Sequence, residues 1–326
     1  MFHKVRRAAV WNHREHGVHT EERRRWVRLG ILPLCVLCVL SGSTCSRDGR
    51  DSRVSSVRGS AIVDDFGDTI DVDGRPERIV SLTPATTEIL FAMGAGDRLV
   101  GRSEYDKWPD AAHAVPNLGP GLRPNVEAIL AARPDLVLLY ASQDNRPAAQ
   151  RLRSAGIMTA AFKVDRVEHF DRTTRILGRL VGDSARGALV ADTVMRTLDS
   201  VRALTRDRRP VSVVLPAYED PLLVIGGGSF MSQLVTIAGG RNVYDDVDQP
   251  SPAVTFEDVV RRNPDAVLVG PEHGEKLRRT TRWKALDAVR RGRVLYMDTT
   301  LVMRPAVRLG EGAVSLMRLL HPELAK

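Results

Sequence analysis

At 326 residues, 43% of them hydrophobic, the chain is long enough for about two domains with a core in each. Lys and Arg exceed Asp and Glu by 8, but residues 1–45 carry eight basic against three acidic side chains, so +5 of that surplus sits there and +3 remains for residues 46–326. A nucleic-acid-binding class is excluded on that distribution, because it needs its basic excess on the folded part.

Arg23 to Arg28 precede a charge-free apolar run of 12 residues, 29–40. That is the length of a signal h-region and falls short of the roughly 20 residues that span a bilayer. Small residues 41–44 and then Cys45 form the pattern of a lipoprotein cleavage box, so residues 1–45 read as a signal peptide of lipoprotein type with Cys45 lipidated. Thr44 is an uncommon neighbour for such a cysteine, and ordinary secretion with cleavage near Ser43 is the alternative. Residues 1–22 make a long n-region that points to a start codon downstream, and Arg23-Arg24-Arg25 leaves Sec and Tat export both open. Cys35 and Cys38 leave with the leader, so neither a disulfide nor a Cys-based metal site is expected in the mature chain. The expected location is exported, at the periplasmic face or cell surface, tethered through Cys45.

Residues 46–60 are polar and read as a flexible tether. Residues 61–72 alternate around an Asp/Gly turn, the signal of a small hairpin. A strand over 78–82 leads to Pro84, which opens a helix over 85–93 with Glu88 in its first turn and Gly94 as C-cap. Strands at 98–101, 135–140 and 157–161 alternate with helices at 126–133 and 146–155, so residues 61–166 predict an α/β lobe with a parallel-type sheet. No strand signal interrupts 167–204. Gly178 and Gly182 divide it, Asp183 or Ser184 caps a second helix, and Val190, Val194, Leu198, Val201 and Leu204 form its apolar stripe. At about 1.5 Å per residue that helix is ~34 Å long, a connector for two lobes, and residues 167–207 are assigned to connecting helices. A second α/β lobe, 208–326, has strands at 211–215, 222–225, 265–269 and 294–297, with helices at 230–238, 256–263, 282–291 and 306–320.

The two lobes are similar, because the chain repeats itself. Residues 125–139 read NVEAILAARPDLVLL and residues 255–269 read TFEDVVRRNPDAVLV, sharing Glu127/Glu257, Pro134/Pro264, Asp135/Asp265, Val137/Val267 and Leu138/Leu268. Each copy is a short helix stopped by Pro-Asp and followed by a buried strand. Taken locally, Glu127 and Glu257 offset the helix dipole by about 0.3–1 kcal/mol.

Ligands of such folds bind beyond the C-terminal ends of the strands. The loops there hold Tyr105, Trp108, Tyr140 and Tyr218, a large share of the aromatics in a chain that is 5% aromatic, together with Arg304. Catalytic constellations are thin. His113, His169, His273 and His321 lack metal-ligand spacing, residues 226–229 lack the G-x-S-x-G frame, and Gly94 and Gly96 follow a helix rather than a strand. No enzyme activity, no catalytic residue, no resident cofactor and no metal site is predicted. An exported α/β enzyme, the alternative class, would need a titratable cluster in the cleft.

Residues 78–96 (RIVSLTPATTEILFAMGAG), 99–109 (LVGRSEYDKWP), the 125–139 block, 226–243 and 304–323 together resemble the vitamin B12-binding and iron-siderophore-binding proteins of bacterial ABC importers. The resemblance implies two α/β lobes joined by a long connecting helix, a ligand clasped in the cleft between them, and small hinge motion. By the same resemblance Tyr105 matches a tyrosine lying against the corrin, Tyr140 stands where a pocket tryptophan is found, Tyr218 replaces another pocket aromatic, and Arg304 falls near a polar ligand contact. Glu127 and Glu257 match the glutamates that meet arginines of the inner-membrane permease, one from each lobe. Residues 119–124 carry no tryptophan where the B12 binders have one, which leaves haem or a ferric siderophore open beside a corrinoid, with Tyr105 then a candidate iron ligand. The expectation is a monomeric solute-binding protein for a metal chelate such as cobalamin.

Overall fold

The computed structural model describes residues 61–72 and 74–324; Cys45, the signal peptide and the tether lie outside them. An antiparallel hairpin, β1 (Ile62–Val63) and β2 (Thr69–Ile70), comes first. Buried Asp64 seats it on the adjoining lobe, its carboxylate accepting from the Ala161 N–H at 3.0 Å and from Arg153 at 2.8 Å. That lobe runs β3 (Ile79–Ser81), α1 (Pro84–Ala92), β4 (Leu99–Arg102), α2 (Val126–Ala131), β5 (Leu136–Tyr140), α3 (Arg146–Ser154) and β6 (Met158–Phe162). Its sheet is parallel, in the order β4-β3-β5-β6.

Two helices come next, α4 (Val167–Leu180) and α5 (Ser184–Thr205), with the turn at Gly182 (φ +74°) and Asp183 capping α5 through the Arg186 N–H. They cross at Gly178 and Gly187, where a Cβ on either would stand 2.9 or 2.8 Å from the other's Cα, so only glycine permits this approach. Helix α4 packs on α1, and α5 packs on two helices of the next lobe, Phe230–Ile237 and Leu309–Leu320. Val194, Leu198 and Val201 of the predicted stripe are buried, whereas Leu204 is exposed because α5 turns Ala191 and Thr205 inward instead.

The second lobe comprises β7 (Val211–Val214), β8 (Pro216–Glu219), β9 (Leu222–Val224), α6 (Phe230–Ile237), β10 (Gly240–Asn242), α7 (Phe256–Arg262), β11 (Ala266–Val269), α8 (Pro271–Arg279), α9 (Asp287–Arg290), β12 (Val294–Tyr296), α10 (Thr299–Val302) and α11 (Leu309–Leu320). Its parallel sheet has the order β10-β7-β11-β12. Counted within its own lobe, each sheet therefore reads 2-1-3-4. The strand expected at 222–225 is not in this sheet; it pairs with β8 in an antiparallel hairpin inserted after the first strand. The helix expected over 282–291 begins as a 3₁₀ turn, Thr281–Ala285, and the one expected at 306 begins at Leu309.

The repeat occupies the same place in both lobes, as α2–β5 and α7–β11. Burial along 125–140 and 255–270 differs at one position, buried Val126 against half-buried Phe256. Its Pro-Asp step also has the same structural use twice. Asp135 accepts from the Arg78 N–H at 3.0 Å and Asp265 from the Ser212 N–H at 3.0 Å. Leu136 pairs with Ile79 and Ala266 with Val213, so those two donors are equivalent, each just ahead of its pairing residue in the lobe's first strand. Each aspartate thus satisfies a backbone donor that the ladder leaves open.

Alternation along the central strands divides the core. Leu136 and Leu138, with Ala266 and Leu268, belong to one continuous cluster that also takes in α4 and α5. Val137 and Leu139, and separately Val267 and Val269, pack under the outer helices. Both faces of both sheets are buried, which is why these strands read as unbroken apolar runs.

Candidate ligand-binding site

The C-terminal strand ends of the two lobes are built differently. In the second lobe the ends of β7, β11 and β12 surround an open cavity of about 830 Å³, with Leu215, Ile225, Met231, His273, Tyr296 and Met303 among its walls. A second recess of about 460 Å³ shares His273 with it and is bordered by Tyr218, Glu219 and Lys276. Glu219 holds this corner together. Its carboxylate accepts from the Trp283 indole N–H at 3.1 Å and from Arg282 at 3.1 Å, and lies 3.0 Å from His273 Nε2.

In the first lobe the same end is filled by its own polar side chains. The Tyr140 hydroxyl donates to Asp165 at 2.8 Å, and burial together with that carboxylate raises its pKa well above the ordinary phenol value. Buried Asn145 donates to the Gly121 carbonyl at 3.1 Å and the Tyr140 carbonyl at 2.9 Å. Asp106, fully buried, accepts from the Ser103 N–H, the Ser103 hydroxyl and the Thr87 hydroxyl, each at 2.9 Å. Burial still raises that carboxyl above its usual range.

The two cavities do not gather the predicted residues. Tyr105 is 58% exposed, and its phenol is raised by hydrogen bonding with Glu104. Tyr140 is half-buried, with its hydroxyl on Asp165. Tyr218 is 57% exposed on β8. None of Tyr105, Trp108, Tyr140, Tyr218 and Arg304 lines the larger cavity, whose walls combine aliphatic and methionine side chains with Glu272, His273, Tyr296 and Asp298.

Trp108 and Arg304 meet the opposite lobe instead. The Arg308 guanidinium lies 4.7 Å above the Trp108 ring, a cation–π contact between the loop after β4 and the segment before α11. Arg304 donates to Glu88 of α1 at 3.2 Å, across 216 residues of sequence. Glu88 is not in the first turn of α1, as expected, but past it and only 1% exposed. Pro84 starts that helix one residue earlier than anticipated, and Thr83 caps it by accepting from the Thr86 N–H. Burial pushes Glu88 up to about 7 against the opposing pull of Arg304 and Arg308. Sequence reasoning missed Glu88 and Arg308. The signal available for Glu88 was a carboxylate amid apolar neighbours in a helix too short for a polar face.

Glu127 and Glu257 both stand exposed in the first turns of α2 and α7. Glu127 is held by Arg151 at 2.8 Å, and its own backbone N–H followed by that arginine lowers its pKa. Glu257 has no ion pair among the described residues; its neighbour Asp258 takes Arg261 and Arg262. Leu130 and Val260, equivalent residues three positions further on, are also exposed.

Two similar α/β lobes meeting at a seam, with an open cavity at the strand ends of one, define a protein built to hold a solute. The chain belongs to the periplasmic binding protein family, whose model matches residues 79–301, and it is a solute-binding protein rather than an enzyme. It is 27% identical over 319 residues to the uncharacterized ABC transporter substrate-binding lipoprotein YvrC of Bacillus subtilis, covering 92% of this chain and 99% of that one. It is 25% identical over 233 residues to the vitamin B12-binding protein of Vibrio cholerae, covering 71% of this chain and 84% of the other. Among solved structures, the periplasmic heme-binding protein RhuT from Roseiflexus sp. RS-1 superimposes with a TM-score of 0.67 at 24% identity, over 76% of this chain and all of that one, a likeness of fold.

Proposed function

We propose that this chain captures a corrinoid between its two lobes and delivers it to the permease of an ABC importer, acting from a lipid anchor at Cys45. The observation that carries the reading is the pairing of exposed aromatics: Tyr105 and Tyr218, one from each lobe, stand 58% and 57% exposed on strand-end segments. Flat aromatic faces of this kind suit a macrocycle, and the apolar cavity beside Tyr218 suits its bulk. The curated relatives that bind vitamin B12 support the same ligand class. Delivery would use Glu127 and Glu257, exposed at equivalent positions of the two lobes, as the register marks for two permease arginines. A second reading, haem or a ferric siderophore, is favoured by the guanidinium groups of Arg304 and Arg308 at the seam and by the lack of tryptophan in residues 119–124.

Fluorescence titration tests the proposal with a reporter in each lobe. Trp108 sits at the seam and Trp283 lies buried behind β8. Tight quenching by cyanocobalamin, with none by haemin or ferric chelates, is the expected result. Quenching by haemin alone selects the second reading, and no response to any of them rejects the transport role.

A further inference from the structure

Glu88 is a fully buried carboxylate of the first lobe. It lies past the first turn of α1, so it caps nothing, and its partner is Arg304, which reaches it from the other lobe at 3.2 Å. Arg304 itself remains 29% exposed. Beside it, Arg308 donates to the Thr300 carbonyl at 2.7 Å and rests on Trp108, leaving its buried Nε without an acceptor among the described residues. The remaining charged group facing Glu88 is Asp106, from the loop after β4, whose acceptors are already taken by Ser103 and Thr87. The seam thus offers a solvent-reachable cation and an unused N–H donor, balanced by one carboxylate that is itself sealed from water.

We infer that the Glu88–Arg304 pair is a displaceable clasp: an oxyanion on the bound solute takes over Arg304 and the free Nε of Arg308, and Glu88, left without its cation, takes up one proton from solvent. This rests on the solute-binding reading above and adds to it the ligand chemistry that the seam recognises. The proton goes onto the Glu88 carboxylate oxygen that had accepted from Arg304, so the seam keeps its net charge when the anion arrives. A buried carboxylate stripped of its partner does not stay ionised. With Arg304 still in place burial already holds Glu88 at about 7, so the protonated form lies close at hand at neutral pH. By linkage, a solute whose binding takes up a proton binds more weakly as pH rises, by at most about tenfold per pH unit for one proton. The oxyanion can be a phosphodiester, as in the nucleotide arm of a cobalamin, or a carboxylate, as in haem propionates and carboxylate siderophores.

Titration calorimetry of the full chain in HEPES and in Tris at pH 7.5 tests the clasp, because the two buffers differ in ionisation enthalpy and proton uptake appears as a difference in heat. The probes are cyanocobalamin, dicyanocobinamide, which lacks the phosphodiester, and haemin. The expected result is uptake of about three-quarters of a proton with whichever anionic probe binds, none with dicyanocobinamide, and loss of the uptake in Glu88→Gln with binding retained. Uptake with cyanocobalamin assigns the phosphodiester, and uptake with haemin the carboxylate. Buffer-independent heats for every probe that binds overturn the clasp while leaving the solute-binding role intact, and so does uptake unchanged in Glu88→Gln or equally present with dicyanocobinamide. Failure of all three probes to bind overturns the clasp together with the reading it rests on.

Discussion

The two lobes share a strand order and a repeated helix–strand unit, yet among the described residues their strand ends differ: those of the second surround a cavity of about 830 Å³, and those of the first carry the hydrogen-bonded Tyr140, Asn145 and Asp106. The difference lies in the segment after the first strand. In the N-terminal lobe β3 passes through Leu82 and Thr83 directly into α1, and the loops beside it close over Tyr140, Asn145 and Asp106. In the C-terminal lobe β7 leads into the β8–β9 hairpin, which carries Tyr218 and Glu219 outward and leaves room between Leu215, Ile225 and Met303. One scaffold therefore serves two purposes: a preformed recess on one side and a rigid polar wall with Tyr105 and Trp108 on the other. Duplication supplies the frame, and a hairpin inserted over residues 216–224 supplies the space.

Charge reversal at the matched glutamates breaks the comparison most completely. Glu127→Arg combined with Glu257→Arg is expected to abolish uptake in cells while leaving solute affinity within about twofold, because both groups are exposed and take no part in the seam contacts. Uptake assays beside an in vitro titration check this, and surviving uptake would return both residues to the role of helix-dipole partners.

Next in size is Arg304→Ala, which removes a tie between the lobes. Losing this charge-assisted hydrogen bond is expected to cost about 1.5–3 kcal/mol at pH 8, measured by urea unfolding. The loss shrinks at pH 5. Glu88 is raised from 4.5 to about 7 in the folded protein, so the native state holds a proton that the unfolded chain releases between those values. Its contribution to stability therefore falls as pH rises through that window and is level above it. Equal losses at pH 5 and pH 8 would show that Arg304 acts through packing alone.

The smallest effect sharpens the symmetry itself. Asp135→Ala and Asp265→Ala each leave an equivalent backbone donor unmet and are expected to cost about 1–3 kcal/mol apiece, with similar values for the two lobes. Burial opposes ionisation of Asp265, but its bonds from Ser212 outweigh that and its pKa is lowered. Its contribution is present at neutral pH and is lost as pH falls below about 4. A cost confined to one lobe would mean that the repeat is retained for different reasons on its two sides.

The scaffold was legible in the sequence because its signals are local. Leu136 to Leu139 and Ala266 to Val269 are continuous apolar runs, Pro-Asp marks the helix stop twice, and Gly182 with Asp183 marks the turn between the long helices. Tyr218 stands on β8 rather than in the loop expected there, whereas Glu127 and Glu257 were legible as residues of first helical turns. The seam was not. Glu88 and Arg304 lie 216 residues apart and neither belongs to a periodic pattern, so their meeting depends on how the lobes pack. The cavity was hidden for a related reason: Leu215, Ile225, Met231 and Met303 look like core in sequence, and the hairpin beside them reads as one more strand of the sheet.

Hydrogen exchange with and without cyanocobalamin tests the central claim, that both lobes grasp one solute, most directly. Simultaneous protection of residues 103–109 in the first lobe and of residues 216–225 and 298–304 in the second is the expected result. Protection confined to one lobe, or to neither, would contradict it.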